Sequence, residues 1–510
     1  MKRALTAAQM RAVDAASAEH GMPGSVLMEN AGEALCQAAL KEAGQGGRFF
    51  VLCGLGNNGG DGLVVARKLT GLGRSVFVEL TGDGAGLKGD ALRNYEALKA
   101  CGLTPSPIMP ELGAGPGDVV IDALLGTGLS RAPEGRIAEA IGRISAWRAS
   151  GAKVISADLP SGLDSDTGVP FSTCVSADVT TTFGFAKLGQ VIEPGASRSG
   201  RLEIIDIGIP RAAERVLNGT PSVYLLEESD VRGRIPQRKA DTHKGTYGHV
   251  LVIGGSWGKT GAAALAAMGV LRGGAGLVTV ATRPEALVPV MQHSPELMGI
   301  ELVNEGALGP RDLNALLEAA EGKDAVVFGP GIDRGDETFK LLGTFLEELQ
   351  CPCVLDADAL NAIAGHLEVL QKAKSELLLT PHPGEMSRLV NLTTAEVQKN
   401  RVSLASAFAK DHQVVLVLKG ARTLIARDDG TVFINPTGNP GMATGGTGDV
   451  LAGLCGALLA QGLSTEDAAV AGTWVHGLAG DIAKQQRGEM GLIASDLLDG
   501  LGEVWRRWGR

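Results

Sequence analysis

The stretch GNPGMATGGTGDVLAG, Gly438–Gly453, decides the reading of the second half of the chain. Its middle, Thr444-Gly445-Gly446-Thr447-Gly448, predicts a glycine-rich turn that opens a helix over about Thr447–Gln461. Backbone N–H groups free of side chains can approach an anion there, and the helix dipole favours negative charge at the same end. Asp449 falls in the first helical turn beside that anion site. A carboxylate there can take a proton from a hydroxyl as the oxygen attacks phosphorus.

Outward from this turn, the second half alternates short aliphatic runs with helical stretches. Strands are expected at His249–Ile253, Leu277–Ala281, Ala325–Phe328, Cys353–Leu355, Leu377–Thr380 and Val414–Leu418. A hairpin of Thr423–Ala426 and Val432–Ile434 turns at Asp428-Asp429-Gly430, and two helices, Thr447–Gln461 and Thr465–Gln486, close this half. The first half reads the same way, with strands at Phe49–Cys53, Ser75–Leu80, Val119–Asp122, Lys153–Ala157, Asp178–Thr182 and Leu202–Ile205. Helices are expected over Thr6–Glu19, Ser25–Glu42, Asp90–Lys99 and Gly135–Ala149. Such alternation predicts parallel sheets covered on both faces, hence an α/β protein of two domains. The polar stretch Pro210–Gly245 marks the junction, with domains expected over 1–215 and 216–510.

Composition narrows the function classes. The 510 residues exceed the size of one ordinary domain, and the formal charge of −10 disfavours nucleic acid or an anionic membrane as partner. Seven scattered cysteines show no CxxC spacing and read as reduced thiols. Lys2 and Arg3 are followed by Gln9, Arg11 and Asp14, so no signal peptide is expected, and no apolar run is long enough to span a bilayer. A cytoplasmic protein is expected. The 73 glycines, about 14% of the chain against the usual ~7%, cluster where strands meet helices.

In the first half the loop GLGNNGGDG, Gly54–Gly62, follows a strand and contains GxGxxG at Gly54, Gly56 and Gly59, with Glu79 where a ribose-binding acid would stand. Asp61 speaks against a dehydrogenase, because a carboxylate in the first helical turn would compete with pyrophosphate. Asp122 and Asp158 each end a strand and lead into a glycine-bearing loop, so three loops converge at the carboxyl edge of one sheet. In the second half, GGSWGKTG from Gly254 nearly spells a phosphate-binding P-loop, but the first glycine that spacing requires falls on Ile253. His20, His293, His366, His412 and His476 lack metal-ligand spacing.

The loops of the first half resemble those of the NAD(P)H-hydrate epimerase family, with its NNGGDG, Asp-x-x-x-Gly-Thr-Gly and Pro-Ser-Gly-x-Asp segments. The resemblance implies a Rossmann-like three-layer α/β/α domain that interconverts the R and S forms of hydrated NADH and NADPH. It implies substrate contacts at Asn57, Asn58, Gly59, Gly60, Asp61, Gly126, Thr127, Gly128, Leu129, Ser130, Arg131, Ala132 and Asp158. A potassium ion would be held by Asn58, Asp122 and Ser161, all oxygen donors suited to a hard cation. Asp158 is the acid/base candidate.

The second half resembles ADP-dependent NAD(P)H-hydrate dehydratases of the ribokinase-like superfamily. The carrying segments are HKGTYGHVLVIGGS, GAGLVTVAT, GPGI, LDADALN, TPHPGE, KGART and Gly438–Gly453. The resemblance implies substrate contacts at Ala263, Gly331, His382 and Asp449. It places the nucleotide at Lys419, Gly420, Ala421, Arg422 and Thr423, and at Gly445, Gly446, Thr447 and Gly448. Asp449 would be catalytic, and magnesium and ADP would be the cofactor and co-substrate. A homo-oligomer is expected. Two alternatives remain: a ribokinase-like kinase of a vitamin precursor in the second half, and a non-catalytic dinucleotide-binding module in the first.

Overall fold

The computed structural model describes residues 1–107, 113–302 and 306–510. The chain divides into two compact units, 2–220 and 221–510.

The first unit is built on six parallel strands: β1 (Phe49–Cys53), β2 (Val76–Leu80), β3 (Val119–Ala123), β4 (Lys153–Ala157), β5 (Val179–Phe183) and β6 (Arg201–Ile205). Their order is β2-β1-β3-β4-β5-β6. Successive side chains of β1 serve two cores. Phe49, Val51 and Cys53 pack under the helices Gly24–Glu42 and Asn57–Gly71. Phe50 and Leu52 face the other way, against Trp147 and Ile144 of the helix Gly135–Ala149. A strand buried on both faces reads as the continuous apolar run FFVLC, not as an alternation. The chain leaves β1 toward β2 and then crosses to β3 on the opposite side. That reversal opens a crevice at the carboxyl ends of β1 and β3, the place where such sheets bind ligands.

The second unit carries β7 (Val223–Leu225), β8 (His249–Ile253), β9 (Leu277–Thr282), β10 (Met298–Glu301), β11 (Ala325–Phe328), β12 (Cys353–Leu355), β13 (Leu377–Leu379), β14 (Val415–Leu418), β15 (Leu424–Ala426) and β16 (Val432–Ile434). The order is β10-β9-β8-β11-β12-β13-β14-β15-β16-β7. All neighbours from β10 to β14 are parallel, and β14-β15 and β15-β16 are antiparallel. The direction again reverses between β8 and β11. The helices Thr260–Arg272 and Thr447–Ala460 cover one face of this sheet with small residues, so their backbones come close.

The expected strands form, with ends moved by a residue or so. Four short strands escape the sequence reading: β7, β10, Lys2–Leu5 and its parallel partner Ala186–Lys187. Each is too short to show a periodicity. The chain also does not close on two helices. A third, Ala494–Trp508, buries Leu497, Leu501 and Val504 along one face. Among the described residues no helix is long and apolar enough to cross a membrane.

Candidate active sites

In the first unit Gly56 caps the helix Asn57–Gly71 with extended backbone, and Asn57–Asp61 form its opening. The turn is tight: a Cβ on Gly59 would lie 1.9 Å from the Gly54 carbonyl oxygen. Asp61 lies in the second turn of this helix, not in the first as its spacing from β1 suggests, because the helix begins at Asn57. It is buried, and its pKa is driven well above the usual carboxylate range by burial and by the charge of Asp158, with Lys187 opposing. Glu79 pairs with Arg143 and is therefore committed within the fold, consistent with setting the dehydrogenase reading aside.

Asn58, Asp122 and Ser161 come together around Leu125. Asn58 Nδ2 donates to the Leu125 carbonyl (2.9 Å), and the Leu125 N–H donates to Ser161 Oγ (2.9 Å). Asp122 is fully buried and accepts from Ser161 Oγ (2.5 Å), Ser161 N–H (2.9 Å) and Ser156 Oγ (2.8 Å). Burial raises its pKa, and the Ser161 bonds oppose the rise. These donors are neutral, so they solvate the carboxylate without balancing its charge. The buried Asn58 Oδ1 has no hydrogen-bond partner. An orphaned carbonyl oxygen beside a buried carboxylate is a donor set that fits a hard monovalent cation.

Asp158 adopts a left-handed backbone (φ +60°) just beyond β4. Its carbonyl accepts from Gln190 Nε2 (2.5 Å), and its Oδ1 accepts from Thr182 Oγ1 and the Phe183 N–H, both at 3.2 Å. Lys187, 1% exposed, donates to the same Oδ1 and to Thr182 Oγ1, Phe183 O and Phe185 O. An unusual backbone held by so many bonds points to a site. The remaining expected contacts, Gly126, Thr127, Gly128, Leu129, Ser130, Arg131 and Ala132, lie on the partly exposed loop after β3.

In the second unit five loops meet at the carboxyl ends of β8, β11, β12, β13 and β14. A cavity of about 430 Å³ there is lined by Lys259, Gly331, Asp358, Asn361, Glu385 and Asp449, among others. Gly446 (φ +93°) caps the helix that starts at Thr447, and Asp449 stands in its first turn, as the sequence predicts. Lys419 reaches across from β14. Its ammonium is 2.8 Å from Asp356 Oδ1 and 3.9 Å from Glu385 Oε2. A Cβ on Gly448 would lie 3.0 Å from that ammonium, a tight contact that glycine avoids.

The electrostatics follow from burial. Asp449 is pushed to about 7 by burial and by Asp356, with Lys419 opposing. Glu385 is likewise pushed to about 7 by burial, against the pull of Lys419. Burial works against the Lys419 charge, yet Asp356 and Glu385 outweigh it and raise its pKa. Two carboxyl groups poised near neutrality beside a fixed ammonium can exchange protons with a substrate hydroxyl.

His382 caps the helix Pro383–Leu389. Its Nδ1 accepts from the Gly384 and Glu385 N–H groups (3.0 and 3.2 Å), which places the ring proton on Nε2, 3.3 Å from Glu385 Oε1. Burial and Lys419 lower its pKa, so the ring stays neutral. Ala263, where the resemblance implies a substrate contact, is 0% exposed beneath the Gly254–Gly255 turn, next to Ala262 of the cavity wall. Lys419, Gly420, Ala421, Arg422 and Thr423 form the turn between β14 and β15.

Sequence reasoning missed Lys187, Asp356, Glu385 and Lys259. The last bonds Asp333 (2.6 Å) and Asp358 (3.2 Å) at the cavity rim. His476, expected at the surface or in the core, lies in the core. That ring is buried beneath the anion turn with Nε2 2.8 Å from the Thr447 carbonyl, and burial lowers its pKa to about 4.

Two α/β units, one gathering Asn58, Asp122 and Ser161 at its strand ends and one carrying a glycine-rich turn ahead of an aspartate, have the layout of a two-site enzyme. A family model described as NAD(P)H-hydrate dehydratase matches residues 250–502, and one described as YjeF-related protein N-terminus matches residues 24–189. The bifunctional NAD(P)H-hydrate repair enzyme of Moorella thermoacetica is 44% identical, over 98% of this chain and 96% of that one. The enzyme of the same name from Escherichia coli is 35% identical, over 94% and 89%. The crystal structure of the ADP/ATP-dependent NAD(P)H-hydrate dehydratase from Bacillus subtilis is 31% identical, covering 56% of this chain and 99% of that one, with a TM-score of 0.49. The chain belongs to the family of bifunctional NAD(P)H-hydrate repair enzymes.

Proposed function

We propose that the first unit epimerises the R and S forms of hydrated NADH and NADPH, and that the second returns the S form to NAD(P)H while converting ADP to AMP. The observation that carries the reading is Asp449, with its pKa near neutrality, in the first turn of the helix behind the Gly445–Gly448 amides.

A ring hydroxyl is a poor leaving group and a phosphate ester a good one. Asp449 accepts the hydroxyl proton as that oxygen attacks the β-phosphorus of ADP. The bond from that phosphorus to the bridging oxygen breaks, and AMP leaves with the oxygen. The Gly445–Gly448 amides and Lys419 stabilise charge on the transferring group. The ester then departs as phosphate, and loss of the neighbouring proton restores the ring double bond. Magnesium would neutralise nucleotide phosphate charge. Among the described residues no group of three or more His, Cys, Asp or Glu side chains is placed to hold a metal ion, so the phosphates themselves would supply most of its ligands.

In the first unit Asp158 is the acid/base at the hydrated carbon, and Asn57–Asp61 with Gly126–Ala132 hold the dinucleotide. Asn58, Asp122 and Ser161 would hold potassium, which would supply fixed positive charge for binding the dinucleotide. Free cysteines throughout suit a reducing cytoplasm, and we expect domain limits near residue 215 and a homo-oligomer. Asp449→Asn tests the reading: R/S exchange, followed by chromatography, continues, while the return of 340 nm absorbance with ADP stops. Turnover of a vitamin-precursor alcohol with ATP, and none of hydrated NADPH, would replace dehydration by kinase chemistry.

A further inference from the structure

Trp257 is 76% exposed at the tip of the loop that follows β8. Leaving an indole in water forgoes one of the largest apolar burials a side chain can make, so its position calls for a partner. The loop that presents it is pinned. The Gly255 N–H donates to the Pro330 carbonyl (2.8 Å), and the Lys259 N–H donates to the Ser256 carbonyl (2.9 Å). The Lys259 ammonium is tied to Asp333 and Asp358. Gly258 and Lys259, the two residues after the indole, line the cavity that contains Asp449. The Lys259 carbonyl packs against Gly331 on the same wall, 2.9 Å from where a Cβ there would lie.

The two ends of the site differ. Lys419 follows β14 and reaches Gly448, whereas Trp257 follows β8, four strands away in the sheet order. At about 4.8 Å per strand the two strand ends lie about 19 Å apart, and the Lys419 ammonium, at Asp356 just after β12, covers about half of that span. A nucleoside diphosphate with its phosphates at Lys419 and its nucleoside along the Lys419–Thr423 turn, between β14 and β15, therefore carries its base away from Trp257. The site is open to solvent, so a dinucleotide with its nicotinamide ring at Asp449 is free to run along the rim, which the Trp257 loop forms through Gly258 and Lys259.

We propose that Trp257 is a stacking platform for the adenine ring of the hydrated dinucleotide, giving the dehydratase site its preference for whole dinucleotides. This rests on the functional reading above. A flat heteroaromatic ring is the ligand an exposed, pre-positioned indole takes best, because its face stacks and little side-chain freedom is lost.

The test compares full-length wild type, Trp257→Ala and Trp257→Phe. In Trp257→Ala, KM for hydrated NADPH rises about 10-fold or more, as expected for loss of one base stack. Its kcat and its KM for ADP stay within about two-fold, and Trp257→Phe recovers most of the loss. Calorimetric affinity for NADPH, the product, weakens in parallel. An unchanged dinucleotide KM, or a rise confined to ADP, overturns the proposal. So does a change of oligomeric mass in Trp257→Ala by light scattering, which makes the indole an interface residue. If wild type dehydrates nothing yet binds NADPH with Trp257-dependent affinity, the functional reading falls and the stacking stands. NADPH affinity independent of Trp257 removes the stacking whatever the activity.

Discussion

The ammonium of Lys419 lies 2.8 Å from Asp356 Oδ1 and packs against Gly448, one residue before Asp449. Its charge pulls the pKa values of both Asp449 and Glu385 down against their burial. A lysine just beyond one strand thus offsets part of the rise that burial and Asp356 impose on an aspartate in the first turn of a helix capped by Gly446.

The base form of Asp449 is the unprotonated one, so dehydratase kcat/KM rises with pH through about 7 on its acid limb. Lys419→Met removes the charge that lowers this pKa. The acid limb then moves to higher pH, and kcat/KM at pH 7 falls about 100-fold or more. A pH–rate profile of the two proteins with ADP checks both statements, and a limb that moves to lower pH contradicts them.

Lys187 is the cation paired with Asp158 and is itself almost fully buried. Lys187→Met leaves Asp158 without that partner and beside Asp61. Epimerase activity falls about 100-fold or more, while dehydration of pure S substrate is unchanged. Chromatographic R/S exchange measured on the same preparation separates this from general unfolding.

The orphaned Asn58 Oδ1 and the neutral shell of Asp122 support the cation proposed there. Epimerisation is faster in potassium chloride than in choline chloride at equal ionic strength, and Asn58→Ala abolishes the difference. An equal rate in both salts for wild type contradicts the assignment.

His476 is neutral in the fold, with a pKa near 4 against 6.5 when exposed. The unfolded chain binds that proton first, so this contribution to stability falls as pH drops from about 6.5 to 4, by at most about 3 kcal/mol. His476→Gln keeps a donor for the Thr447 carbonyl but cannot titrate. The gap in unfolding midpoint between wild type and variant narrows, or reverses, over that pH range.

The parallel sheets were legible because strands buried on both faces, such as Phe49–Cys53, read as unbroken apolar runs between glycine loops. Asp449 was legible because its position relative to Gly445–Gly448 is local. Asp61 was misplaced by a turn, because the helix begins already at Asn57, which spacing does not reveal. Lys187, Asp356 and Glu385 were not singled out. Their significance comes from partners 24 or more residues away, brought together by sheet order. The burial of Ala263 is likewise a tertiary fact.

The most direct test of the central claim is recovery of 340 nm absorbance from an equimolar R and S mixture of hydrated NADPH with ADP and magnesium. Two working sites return all of the NADPH, and Asp158→Asn halves that yield on the time scale before spontaneous exchange. Recovery of half by the wild type contradicts the epimerase assignment, and no recovery contradicts the account as a whole.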